Sequence, residues 1–249
     1  MVSVEKPGSP VAQAPPGVLR SERICMWCGP VLFLFFAVGF PLAGFLPPPS
    51  PGSSAVEIAT FYATDIDLKR TGIVLLAVGG ALMLPFGIAV ASQIRRIEGR
   101  GSPMAYLQTG ACAMTATATL IYMFMLLAMT FRPERSPEIM LALNDIVWIA
   151  FIGMWQPGWL QACAVAIAVL NDHRPIEDRL WPRWVGWFTL WYTLTCLIGV
   201  LVPFFTGGPF AWHGLYAFYG GATAFLGWLA VLAVLMLRGT RTAPANAVQ

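Results

Sequence analysis

Hydrophobic positions gather into six long runs, at about residues 26–46, 71–91, 105–131, 146–170, 184–205 and 210–237, divided by short stretches that hold most of the charge. Each run has the roughly 20 residues that a helix needs to cross ~30 Å of hydrocarbon. Backbone polar groups in lipid must be satisfied within the spanning element, so apolar runs of this length predict helices. The expected fold is all-α: a polytopic transmembrane helical bundle with six membrane-spanning helices over 23–238, between disordered tails at 1–22 and 239–249. The first tail is rich in Pro and Gly, and its length ahead of the first apolar run argues against a cleaved secretory signal.

Turn and cap signals refine the pattern. Pro47, Pro48, Pro49 and Pro51 should stop the first helix, since none can donate to a helical ladder. Ser54 and Glu57 have capping-box spacing, with Ile58, Phe61 and Tyr62 on one face beyond them. This predicts a short amphipathic outer helix over 55–63, serving as a lid over a site or as an interfacial anchor. Ser136-Pro137-Glu138 marks a helix start with a capping hydroxyl, Pro at the first position and an acid in the first turn. A helix from there to residue 170 contains Pro157 and should kink; Pro85 should do the same to the second span.

Composition excludes the alternative of buried helices in a large soluble protein. The chain is 57% hydrophobic and 11% charged, against about 25% charged residues in soluble domains, which leaves too little polar sequence to wrap six such helices. On the side of the amino terminus lie Lys6, Arg20, Arg23, Arg95, Arg96, Arg100, Arg174, Arg179, Arg183, Arg238 and Arg241, which is 11 of the 15 Lys and Arg residues. The positive-inside rule then places both termini in the cytoplasm, in a multi-pass protein of the inner (plasma) membrane. The net charge of +3 is this asymmetry. It gives no support to nucleic-acid binding, and membrane lipids are the expected partners of these helix-end charges.

Polar residues within the spans are the candidates for function. Gln108, Cys112, Thr115, Thr119 and Tyr122 recur at helical spacing along one face of the third span. Such a stripe either joins helices through hydrogen bonds or lines a cavity. A second stripe, counted from Asp145 at 3.6 residues per turn, takes in Ile149, Ile152, Gln156 and Cys163. Asp145 is the one acid near the bilayer, either solvated at its outer edge or acting on an ion, proton or solute. His213 should lie at a similar level near the outer end of the sixth helix, with Trp155, Gln156 and Tyr216 approaching if the fourth and sixth helices are neighbours. Aromatic residues make up 13% of the chain. Trp181, Trp184, Trp187 and Trp191 have the placing of an interfacial belt, though aromatic rings also form pockets for hydrocarbons. Gly39 with Ala43, and Gly220 with Ala224, have the small-xxx-small spacing of close helix approach.

No cofactor is expected. Two histidines in unlike positions do not readily supply paired haem ligands, and the spans hold no acid cluster for a metal. Nucleotide and hydrolase fingerprints are absent. Cys25 and Cys28 form a C-x-x-C without a second pair to complete a metal set. The strings Arg95-Arg96-Ile97-Glu98-Gly99-Arg100, Trp181-Pro182-Arg183-Trp184-Val185-Gly186 and Gly208-Pro209-Phe210-Ala211-Trp212-His213-Gly214 resemble those of a family of small bacterial multispan integral membrane proteins with no established activity. The resemblance covers about 20–238, implies the six-helix fold and carries over no catalytic residue.

The function these features favour is binding or passage of a small, mainly lipophilic solute, with Gln108, Thr115, Thr119, Tyr122 and Gln156 as hydrogen-bonding groups. Asp145, His213, Trp155 and Tyr216 would stand at its outer approach. Two alternatives stay open: a non-catalytic subunit or anchor docked on a partner protein or a second copy, and an integral-membrane enzyme using Asp145 with His213 or Cys25 with Cys28.

Overall fold

The computed structural model describes residues 16–239, with side chains from 20 to 238. Tail positions before and after these limits lie outside the described residues. Eight α-helices follow one another: α1 (Pro16–Leu42), α2 (Ala55–Ala63), α3 (Ile66–Glu98), α4 (Pro103–Phe131), α5 (Pro137–Gly153), α6 (Gln156–Leu170), α7 (Arg183–Leu197) and α8 (Gly221–Gly239), with no strand among the described residues. Six stretches are long and apolar enough to cross a membrane, namely Arg20–Leu42, Ile66–Glu98, Pro103–Phe131, Pro137–Leu170, Arg183–Phe204 and Leu215–Arg238. Their outward faces carry exposed apolar side chains such as Leu34, Val74, Met114, Phe124 and Leu194, as acyl chains require.

The spans form a closed ring in chain order, α1–α3–α4–α6–α7–α8 and back to α1. Packing is most extensive where α3 meets α1 and α4, and sparser around α8. Small residues bring α1 and α3 together. A Cβ built on Gly72 would lie 2.4 Å from the Ala43 backbone nitrogen and 2.6 Å from the Gly39 carbonyl oxygen, so the Gly39/Ala43 pair is used for close approach as its spacing predicted. Gly220 differs: its nearest foreign atom would be the Leu215 carbonyl at 3.5 Å, within its own turn.

Helix α1 starts at Pro16, so positions 16–22 are helical instead of continuing the tail. Glu22, in this first part of α1, is buried and finds partners on α3. It accepts a hydrogen bond from Gln93 Nε2 at 2.7 Å and forms an ion pair with Arg96. At its other end α1 stops at Leu42, ahead of the prolines. Gly44 adopts φ +72°, and the Gly44 and Phe45 amides donate to the Pro41 and Phe40 carbonyls at 2.9 and 3.0 Å, which is the Schellman closure.

The short helix α2 has the predicted bounds and both arms of its capping box. The Ser54 amide donates to Glu57 Oε2 at 2.7 Å and the Glu57 amide to Ser54 Oγ at 3.3 Å. The Ser54 amide and hydroxyl hold the Glu57 carboxyl below the usual carboxylate range. Ile58 and Tyr62 are its buried residues, and it packs mainly on α5. Ser136 precedes α5 but makes no side-chain cap bond.

Proline acts unequally. Helix α3 passes through Pro85 unbroken, whereas the chain ahead of Pro157 leaves the helix at Met154 and Trp155 and restarts as α6. Two further irregular stretches lie on the same side of the ring. The fifth span ends as a 3-10 helix, Ile198–Phe204, and the sixth begins as a π-helix at Leu215–Gly220. Residues 210–214, expected within the sixth helix, are therefore loop. The Trp212 indole fixes this loop to the first one by donating to the Pro49 carbonyl at 2.7 Å.

Candidate functional site

The three irregular stretches surround a cavity of about 260 Å³. Its walls come from Phe36 and Phe40 on α1, Phe151 on α5, Trp155 at the break, and Phe218 and Phe225 on the sixth span. Phe36 and Phe40 stand one turn apart on a single face. Their rings approach Phe225 at 6.4 Å and Phe218 at 6.0 Å respectively, and Trp155 meets Phe225 at 5.4 Å. Thr195, Cys196 and Gly199 close the side toward the fifth span. A Cβ on Gly199 would come within 2.5 Å of the Ile152 carbonyl oxygen, so backbone meets backbone where both helices are distorted. Broken and overwound turns do not interdigitate as regular helices do, and a void is left beside them.

The cavity opens sideways. Ala37 and Pro41 of α1 and Tyr219 and Thr223 of the sixth span line it and are also exposed. These four belong to the flank between neighbouring spans.

A second group lies beyond Trp155, between α4 and α6. Gln108, Thr115, Thr119 and Gln161 are all buried, with Gln108 only 1% exposed. Gln108 Nε2 donates to Gln161 Oε1 at 3.3 Å, and Gln161 Nε2 donates to Thr115 Oγ1 at 2.8 Å. Thr115 and Thr119 donate to the carbonyls of Ala111 and Thr115, both at 2.9 Å. Two small voids of about 20 and 10 Å³ flank this group. Trp155 lines both of these voids and the large cavity as well.

The structure thus brings together Gln108, Thr115 and Thr119 as their spacing predicted, and places Trp155 at the meeting point of all three spaces. Tyr122 lines the smallest void and touches Phe151 edge-on at 5.8 Å. Gln156 is a correction: it is exposed at the start of α6 and joins nothing in the cluster. The stripe from Asp145 assumed one continuous helix. The break at Met154 and Trp155 resets the angle, so Gln161 faces Gln108 instead.

Asp145 is half-buried and accepts a hydrogen bond from its neighbour Asn144 at 3.4 Å. His213 sits in the loop before the π-helix, with a buried Nδ1 that has no partner among the described residues. No ion pair or hydrogen bond joins the two among the described residues. Tyr216 is exposed and meets Phe210 in a tilted ring contact at 5.5 Å. These three are therefore outside the cavity wall. Cys25 and Cys28 are separate thiols, and no group of three metal-ligating side chains occurs among the described residues.

Sequence reasoning missed the buried polar contact that seats α2. The Tyr62 hydroxyl donates to Asn144 Oδ1 at 3.1 Å and accepts from the Trp148 indole at 3.3 Å. The signal was present in Tyr62 on the apolar face of α2, but its partners lie more than eighty residues away. Trp181, assigned to an interfacial belt, is 1% exposed, while Trp184, Trp187 and Trp191 do face outward. Comparison with protein-family models, curated proteins and solved structures gives no match.

Proposed function

We propose that this is a multi-pass membrane protein that binds a small lipophilic molecule in the aromatic cavity between its first, fifth and sixth spans. The observation that carries the reading is a cavity of about 260 Å³ walled by aromatic rings and bordered by exposed residues of the first and sixth spans. Small-molecule sites usually enclose ~300–1,000 Å³ of mostly apolar surface with a few polar groups, so the occupant is small. Binding is favoured over passage because the space beyond Trp155 and Phe225 is a separate void of about 20 Å³.

Orientation rests on charge. Arg20, Arg23, Arg95, Arg96, Arg100, Arg174, Arg179, Arg183 and Arg238 lie at one end of the spans, and by the positive-inside rule this excess supports a cytoplasmic position for that end in a plasma-membrane protein. Three of the four basic residues at the opposite end have local structural duties that account for their presence. Arg70 and Arg135 donate to the Thr130 and Ala128 carbonyls at the end of α4, at 2.7 and 2.6 Å. Lys69 donates to the Thr64 carbonyl at 2.9 Å and lies over the Phe61 ring.

The test is native mass spectrometry of the protein released from its membrane, wild type beside Ala37→Trp, which places an indole in the mouth. The wild type should retain a small lipophile that the variant loses. Absence of any bound small molecule from both, or a stoichiometric protein partner in its place, would refute the proposal.

A further inference from the structure

Hydrogen-bond direction in the buried cluster specifies what kind of lipophile the site takes. A threonine hydroxyl has one proton. That of Thr115 goes to the Ala111 carbonyl, so toward Gln161 it only accepts, and Gln161 must present its NH2 group there. Gln161 Oε1 is thereby turned to α4, where it accepts from Gln108 Nε2. Reversing either carboxamide would set two donors or two acceptors against each other. What remains over is Gln108 Oε1, a buried acceptor with no partner among the described residues.

Burying a hydrogen-bonding group unpaired is costly, so this oxygen marks a place meant for a donor. Gln108 lines the void of about 20 Å³, whose other walls include Met83, Phe86, Val90 and Trp228. A void needs roughly 10–15 Å³ to hold one water-sized atom group; this one accommodates a hydroxyl and no ring. Trp155 and Phe225 separate it from the aromatic cavity and line both. Trp155 is carried by the break between α5 and α6 and not by a helix turn.

We infer that Gln108 Oε1 is the polar subsite of the cavity, and that the ligand is an alcohol or phenol whose apolar body occupies the aromatic space. Its hydroxyl passes the Trp155 edge and donates to Gln108. An ether, ketone or carboxylate of the same size would bring a second acceptor to the same oxygen and is disfavoured. This inference rests on the cavity being a ligand site, as proposed above.

The test uses two probes of nearly equal size in nanodiscs, 1-naphthol as donor and 1-methoxynaphthalene as acceptor only, each corrected for uptake by empty discs. Wild type should prefer the naphthol by about tenfold, the worth of one well-made buried hydrogen bond. Gln108→Leu should bring the ratio close to one, chiefly by weakening the naphthol. Thr115→Val, a nearly isosteric change, should also lower the ratio, because both carboxamides are then free to turn. It decides the matter if Gln108→Leu does not fold. Equal binding of the two probes by wild type, or a preference that survives both substitutions, overturns the donor subsite while the cavity reading stands. Failure of both probes to bind overturns the cavity reading and the subsite with it.

Discussion

Gly72→Ala offers the most direct test of how the ring is held together. The added Cβ would stand 2.4 Å from the Ala43 backbone nitrogen and 2.6 Å from the Gly39 carbonyl oxygen, where ordinary contact begins at 3.4 Å. Both obstacles are backbone, so no rotamer change relieves them, and α1 must move from α3 by about 1 Å. A gap of ~0.5–1 Å already forfeits a quarter to a half of each dispersion contact, and overpacking a tight interface costs about 1–3 kcal/mol. We expect Gly72→Ala to destabilise the protein by about 2–3 kcal/mol. Gly110→Ala is the control, since nothing lies within 4 Å of its Cβ position on α4. There the better helix propensity of alanine should be neutral or stabilise by up to ~1 kcal/mol. Equilibrium unfolding in mixed micelles at rising dodecyl sulfate fraction, followed by tryptophan emission, compares the two. Equal stability of both variants, within about 0.5 kcal/mol of wild type, would refute close approach of α1 and α3 as the basis of this contact. Because Phe36 and Phe40 on α1 line the cavity, displacement of α1 should also weaken probe binding.

Two further outcomes are expected. Tyr62→Phe removes the hydroxyl that serves both Asn144 and Trp148, three residues that are fully buried; it should cost about 2 kcal/mol in the same unfolding assay, and an unchanged midpoint would dismiss the contact. Asp172 accepts two bonds from the Arg174 side chain at 2.9 and 2.7 Å, and this guanidinium holds its carboxyl below the usual carboxylate range. A depressed folded-state value means the pair stabilises the fold above the ordinary Asp value and is lost as pH falls through the depressed one. Unfolding midpoints taken between about pH 6 and pH 3 should therefore fall less steeply in Asp172→Asn than in wild type; equal slopes would count against the pair.

Read as sequence, Gln108, Thr115 and Thr119 could be placed together because α4 is uninterrupted from Pro103 to Phe131. Over such a length 3.6 residues per turn fixes which side chains share a face. The same arithmetic failed across Pro157. A broken helix loses its angular reference, so Gln156 faced the wrong way and Gln161 went unnoticed. Asp145 and His213 were paired on membrane depth alone, and depth does not bring two side chains into contact.

Hydropathy by itself determined the six spans, since their length and apolarity answer to the solvent and not to any neighbour. Local hydrogen bonding determined the Ser54–Glu57 cap and the bounds of α2, because both partners lie within one turn. Only the tertiary structure decided that α8 closes the ring against α1, that distorted turns of three helices leave an aromatic space open to the flank, and that one glutamine oxygen is buried without a donor. Each of these depends on residues far apart in the chain meeting at close range, and periodicity along a single helix carries no record of what lies across from it.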